Sequence, residues 1–194
     1  MAIVRHMKSK QHLARPHLGI DIGRVIIQGD GPDTNFIGGS DDDALRAPAM
    51  AGVLEALTRL CARFEGRVWI VSKCGPRIEA RSRAWLRAQR LFEITGIPRR
   101  NLRFCRDRKD KALICGDLGI DYFVDDRVDV LLHMRAIVAH RFLFGAKSSR
   151  EPGLLPVPTW EATEAAILDR LDEEEAVGVR EDVSDRRTRA ARAP

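Results

Sequence analysis

The sequence predicts an α/β domain, a parallel sheet covered by helices on both faces, and three observations carry that prediction. Short apolar runs rich in β-branched residues alternate along the chain with stretches whose apolar positions recur at helical spacing. No internal repeat appears, so the pattern is that of one layered domain rather than an array. The third observation is where the acids fall. The first apolar run, residues 18–27, is interrupted by two glycines and one acid, Asp21, which is how a buried parallel strand looks when its C-terminal end delivers a charge. Asp121-Tyr122-Phe123-Val124-Asp125-Asp126 repeats the design with a terminal pair of acids. A carboxylate placed where a strand runs out stands at the rim where open α/β sheets bind ligands. Two such strand tips suggest a divalent cation held between them, because hard oxygen ligands suit Mg²⁺.

After the first strand, residues 28–46 begin with a stretch dense in Gly, Pro and acids that exceeds what a plain connection needs, and they read as a loop that could close over the rim. Gly29-Asp30-Gly31 is no phosphate loop, since no Gly-Lys-Ser/Thr follows it. Pro48 opens a helix in which Met50, Val53, Leu54, Leu57, Leu60, Cys61 and Phe64 form one buried stripe, ended by Gly66. Residues 67–72 make a second short strand ending in Ser72. A hydroxyl there can donate to a phosphate oxygen beside the backbone N–H groups of Lys73 and Cys74, or it can cap the helix starting near Pro76.

Residues 77–92 form an arginine-rich helix with Ile78, Trp85, Leu86 and Phe92 as its apolar side and the arginines as a solvated face. Thr95-Gly96-Ile97-Pro98 breaks the chain before a third strand at 101–105. A charged turn, residues 106–111, leads into a helix over 111–118 that Gly119 terminates. The acid-tipped strand 121–125, a short helix through Val128, Leu131 and Leu132, and a strand centred on 141–144 follow. Residues 145–158 read as a loop, and Trp160, Ile167, Leu168 and Leu171 mark a last amphipathic helix.

With 194 residues the chain is long enough for one domain with a real core. Its formal charge of +5 and pI near 9.3 raise the question of nucleic acid. Residues 1–17 carry +4 and residues 178–194 carry +2, which leaves the stretch between them at −1. The basic character belongs to the ends, so nucleic acid is not the expected partner of the folded part. The expected organisation is a flexible basic tail over residues 1–16, an α/β domain over 17–177 and a disordered tail over 178–194. No stretch approaches the ~20 apolar residues of a membrane span, and the N-terminus lacks a signal-peptide core, so the cytoplasm is the expected compartment. Cys61, Cys74, Cys105 and Cys115 form no Cys-x-x-Cys pair and read as reduced, buried thiols.

Collected in chain order, the strand ends and helix starts offer Gly19-Ile20-Asp21-Ile22-Gly23, Trp69-Ile70-Val71-Ser72, Lys111-Ala112-Leu113-Ile114 and Phe123-Val124-Asp125-Asp126. This series resembles the four motifs of the haloacid dehalogenase (HAD) superfamily, over roughly residues 18–145 and in the family's order. The resemblance implies a Rossmann-like, HAD-type sheet with a minimal cap, since no insertion large enough for a cap domain is present. It also implies a Mg²⁺-dependent phosphohydrolase acting on a small phosphate monoester, nucleotide-like compounds included. Asp21 would attack phosphorus to form an aspartyl-phosphate, while Ser72 and Lys111 hold the phosphoryl oxygens. Mg²⁺ would be bound by Asp21, the backbone carbonyl of Gly23, Asp125 and Asp126. Lys109 rivals Lys111 for the lysine role. The separation of 14 residues between Lys111 and Asp125 resembles the family's form in which the helix leads straight into the acid strand.

One departure from the family pattern is chemical. Its phosphatases carry a second Asp two residues after the nucleophile, as general acid and then base, and here that position is Gly23. A positioned acid/base contributes ~10²–10⁴-fold, so either Asp30 or Asp33 replaces it, or the leaving group needs little protonation. A second reading is a HAD-fold binding or regulatory protein that keeps Mg²⁺ and phosphate binding without turnover. The first motif also resembles the phosphate motif of actin-like sugar kinases, but those enzymes need two such domains and a far longer chain.

Overall fold

The computed structural model describes residues 15–29 and 39–190, with side chains described as far as residue 177. The described residues from Pro16 to Ala166 make up one compact unit, and those from Ile167 onward belong to a second. The expected N-terminal tail lies almost wholly outside the described residues, as does the middle of the expected lid loop.

The first unit is built on a six-stranded, wholly parallel sheet in the order β3-β2-β1-β4-β5-β6. Its strands are β1 (His17–Ile20), β2 (Val68–Lys73), β3 (Leu102–Cys105), β4 (Ile120–Asp125), β5 (His140–Phe144) and β6 (Leu154–Val157). Consecutive residues of the central strands are buried, Leu18 to Ile20 in β1 and Tyr122 to Asp125 in β4, as a sheet covered on both faces requires. On one face Phe123, Val71 and Leu143 pack with Ala112, Cys115, Val130, Leu131 and Met134. Tyr122 points the other way, edge-on to Phe64 at 5.6 Å between ring centroids. The chain turns from one half of the sheet to the other between β1 and β4, which opens a crevice at their carboxyl ends.

Glycine at residue 19 of β1 leaves room for the Phe123 ring of its neighbour β4. A Cβ there would lie 2.4 Å from Cδ2 of Phe123, so the buried ring occupies the space a side chain would need.

The helices are α1 (Asp41–Arg46), α2 (Val53–Arg63), α3 (Pro76–Ala88), α4 (Leu91–Thr95), α5 (Asp110–Leu118), α6 (Val128–His133) and α7 (Trp160–Ala190). Several boundaries differ from expectation for identifiable reasons. α1 lies within the stretch expected to be loop 28–46. Ser40 caps it, accepting from the Asp43 N–H at 3.1 Å while Asp43 Oδ2 accepts from the Ser40 N–H at 2.9 Å. α2 starts at Val53 rather than near Pro48, because residues 48–50 pair with the segment after β1: Gln28 N–H donates to the Pro48 carbonyl and Met50 N–H to that of Ile26. The arginine-rich helix is two helices, parted at Arg90, whose φ of 51° lies in the left-handed region. β6 falls in the stretch expected to be loop 145–158 and forms an edge of the sheet, where Pro156 is tolerated.

The backbone of α7 runs on through 178–190, within the stretch expected to be a tail. Four of the thirteen residues 178–190 are Arg, and Asp182 and Asp185 each stand four residues before an arginine, a spacing that supports a helix despite the Gly, Val, Ser and Thr between them. At the start of α7, Trp160 Nε1–H donates to the Val25 carbonyl at 2.7 Å and ties down the turn that follows Asp21. No helix among the described residues is long and apolar enough to cross a membrane.

Candidate active site

Asp21 is the first residue beyond β1, and its N–H donates to the Val124 carbonyl at 3.0 Å, so the pairing of β1 with β4 fixes where the carboxylate leaves the sheet. Asp125 ends β4 and is fully buried. The first turn of α5 brings Lys111 between them, with Nζ 2.7 Å from Asp21 Oδ1 and 2.7 Å from Asp125 Oδ2. The other oxygen of Asp125 accepts from the Arg127 N–H at 3.0 Å. Asp126 turns to Arg24, whose guanidinium lies 2.6 Å from its Oδ2. Arg24 reaches it from a left-handed backbone conformation, φ 57°, inside a tight turn in which the Ile26 and Ile27 N–H groups both donate to the Ile22 carbonyl.

Carboxylate oxygens of Asp21, Asp125 and Asp126 can be chosen that all lie within 4.8 Å of one another. Three hard oxygen donors at that spacing fit a small divalent cation. Lys111 and Arg24 take one oxygen each from Asp21 and Asp126, which leaves the second oxygen of each for a metal. Gly23 lines the same hollow as Asp21, Arg24, Ser72, Lys111 and Asp126, and Ser72 is almost fully buried there at the end of β2. Lys73, Arg108 and Arg127 complete the lining with positive charge.

Burial pushes the Asp125 carboxyl up to about 7; Lys111 pulls it back down, and the like charges of Asp21 and Asp126 reinforce the rise. Asp126 is raised for the same reason, burial first and then Asp21, against the pull of Arg24. Burial works against the charge of Lys111, but Asp125 and Asp21 outweigh it, so the ammonium holds its proton more firmly than a free lysine. Asp21, Asp125 and Asp126 crowd around Lys111, among the described residues the one buried cation beside them, and a metal ion between them would relieve their mutual repulsion. The cysteines take no part as nucleophiles: all four are free and buried, and burial raises Cys74 and Cys105 to about 11.

The structure thus brings together Asp21, Ser72, Lys111, Asp125 and Asp126, with Gly23 at the wall. Lys109 does not join them. It is exposed and lines a neighbouring hollow with Lys73, Asp107, Arg108, Asp129 and His133. Asp30 and Asp33 lie outside the described residues. The basic residues Lys73, Arg108 and Arg127 were not singled out from the sequence. Their signal was position alone, since each follows or precedes one of the strand ends and helix starts that carry the acids, Ser72 and Lys111.

No protein-family model matches the sequence, and no curated protein matches it. Solved structures do. A haloacid dehalogenase-like family hydrolase from Xanthomonas campestris superposes with a TM-score of 0.53 at 14% sequence identity, covering 79% of this chain and 95% of that one. The D,D-heptose 1,7-bisphosphate phosphatase of Burkholderia thailandensis matches with a TM-score of 0.49 at 16% identity, over 79% of this chain and 98% of that one. The Xanthomonas campestris match shows the fold of the chain to be that of the HAD-like hydrolases, as its motif order implied.

Proposed function

We propose that the chain is a Mg²⁺-dependent phosphohydrolase that cleaves a phosphate ester through an aspartyl-phosphate at Asp21. The observation that carries this reading is the placement of Lys111 between Asp21 and Asp125, 2.7 Å from each, with Ser72 lining the same hollow. Attack by a carboxylate on an anionic phosphorus centre requires cations that neutralise the charge around both. Lys111 supplies one fixed charge, and Asp21, Asp125, Asp126 and the Gly23 carbonyl would hold the metal. When bound, Mg²⁺ neutralises the phosphoryl oxygens and the crowded carboxylates.

In the first step the Asp21 oxygen forms the new P–O bond while the ester P–O bond breaks, and the leaving group departs with the bonding electrons. The Ser72 hydroxyl donates to a phosphoryl oxygen and keeps phosphorus in line. In the second step water attacks the aspartyl-phosphate, phosphate leaves, and the Asp21 carboxylate is restored with release of a proton. Gly23 offers no proton at the position two residues past the nucleophile, so the leaving group must be stable as an anion or be protonated from elsewhere.

That same glycine favours a second reading, a binding protein that holds Mg²⁺ and a phosphorylated ligand without turnover. Phosphate release from an aryl phosphate, whose leaving group needs little protonation, separates the two. Release that requires Mg²⁺ and falls by about 10³-fold or more in Asp21→Asn supports the hydrolase, in keeping with loss of a nucleophile. No release from the wild type, with Mg²⁺-dependent phosphate binding intact, supports the binding protein.

A further inference from the structure

We propose that the substrate carries a second phosphoryl group, seated beside the nucleophile in the hollow formed by Lys73, Arg108 and Lys109. The proposal rests on the hydrolase reading and names its substrate class, organic bisphosphates rather than simple monoesters.

Two hollows open at the carboxyl edge of the sheet, and they share a wall. Lys73 and Arg108 line both the hollow that contains Asp21 and its neighbour, whose other lining residues are Asp107, Lys109, Asp129 and His133. The fold sets this up simply. Lys73 is the last residue of β2, one past Ser72, and Arg108 and Lys109 precede α5, whose first turn delivers Lys111. A molecule whose one phosphoryl group meets Asp21 therefore has its remaining part directed along a strip of cations. The second hollow has no apolar side chain in its lining, so a hydrocarbon or aromatic group gains no burial there.

The charges in the two hollows are not equally answered. Lys111 is matched by Asp21 and Asp125, Arg24 by Asp126, and Arg127 by Asp129 at 2.9 Å. Arg108 lies 3.6 Å from the same Asp129. Lys73 and Lys109, by contrast, make no ion pair among the described residues, and both line the second hollow. Two unmatched ammonium groups beside a guanidinium suit a phosphoryl group, which offers three acceptor oxygens and a double negative charge. Asp107 stands exposed at the rim as a counter-charge that such a ligand must pass.

The test compares the full chain on aryl phosphates whose ring carries a second phosphate on an alkyl spacer of increasing length with the matched aryl monophosphates, so that the leaving group needs little protonation, scored as the ratio of kcat/KM. We expect at least one spacer to be preferred by about tenfold, the scale of two or three partly exposed ion pairs acting together. In the double variant Lys73→Ala, Lys109→Ala the ratio falls to about one, and in Lys109→Arg it persists. A parallel arm measures binding of the corresponding bisphosphonates and monophosphonates to Asp21→Asn by calorimetry, and thermal melts confirm that each variant is folded. Ratios within about twofold at every spacer length, or a preference that survives loss of both lysines, overturn the proposal and leave the hydrolase reading standing. Absence of phosphate release from every compound overturns the hydrolase reading, and the calorimetric preference then decides the second-anion site by itself.

Discussion

Replacing Lys111 with methionine removes the cation that sits between two buried carboxylates while keeping most of the side-chain volume. Lys111 is only 2% exposed and Asp125 is fully buried, so solvent cannot stand in for the lost charge. Breaking a buried ion pair from one side costs about 3–5 kcal/mol. In a chain of this size each kcal/mol is worth about 2–4 °C, so Lys111→Met should melt about 6–20 °C below the wild type in EDTA. The cost has a pH signature. Burial holds Asp125 at about 7 in the wild type, with Lys111 pulling it down, so loss of the lysine moves it higher. A carboxyl whose folded pKa is raised costs stability above that pKa, and the cost fades as pH falls toward its unfolded value of about 4. The deficit of Lys111→Met is therefore greatest above neutrality and shrinks by about pH 5. Adding Asp125→Asn should recover much of the loss at high pH, because it removes the stranded charge. Thermal melts followed by circular dichroism at a series of pH values check all of this. A variant that melts within about 2 °C of wild type above neutrality, or a deficit that does not change with pH, would refute the electrostatic account of the site.

Two further outcomes test the surroundings. Millimolar Mg²⁺ should raise the melting temperature of the wild type, by the equivalent of ~2.7 kcal/mol at about a hundredfold over Kd. The shift should grow as pH rises past neutrality and Asp125 ionises, and should vanish in Asp125→Ala; a melting curve indifferent to Mg²⁺, Mn²⁺ and Ca²⁺ alike would mean that the acids bind no metal. Gly19→Ala places a Cβ 2.4 Å from the buried Phe123 ring and should cost at least about 1–3 kcal/mol in urea unfolding. A loss under about 0.5 kcal/mol would show that the ring can yield.

The site residues were legible because polar side chains ended apolar runs, which is a signal that survives in one dimension. The choice between Lys109 and Lys111 was less so, because it depends on the phase of α5. That helix shows little amphipathic pattern: Leu113 is exposed while Lys111 is buried, the reverse of what hydropathy suggests. The basic lining of the second hollow was hidden for a related reason. Lys73, Arg108 and Lys109 look like ordinary solvated charges until the strand order sets two separate segments side by side. Elements built from breaker residues were missed as well. β6 carries Pro156 and follows Gly153, and α1 is a run of acids whose capping by Ser40 makes a helix of what composition reads as loop.

The pairing of β1 with β4 carries a consequence for the order of events during synthesis. His17 and Asp121, joined by a hydrogen bond at the start of that pairing, are 104 residues apart in the chain. At about 5–20 residues per second, β1 leaves the ribosome roughly 5–20 s before the strand that must lie beside it. β2 emerges only about halfway through that interval, and from then until β4 follows it is the one strand available to the segment carrying Asp21, whose other apolar edge stays open to other nascent chains. Contacts this distant along the chain also close slowly once both strands are present. Asp21 and Asp125 therefore meet only when the sheet is complete across its middle, and binding of a divalent cation at that junction would report the finished fold rather than any intermediate on the way to it.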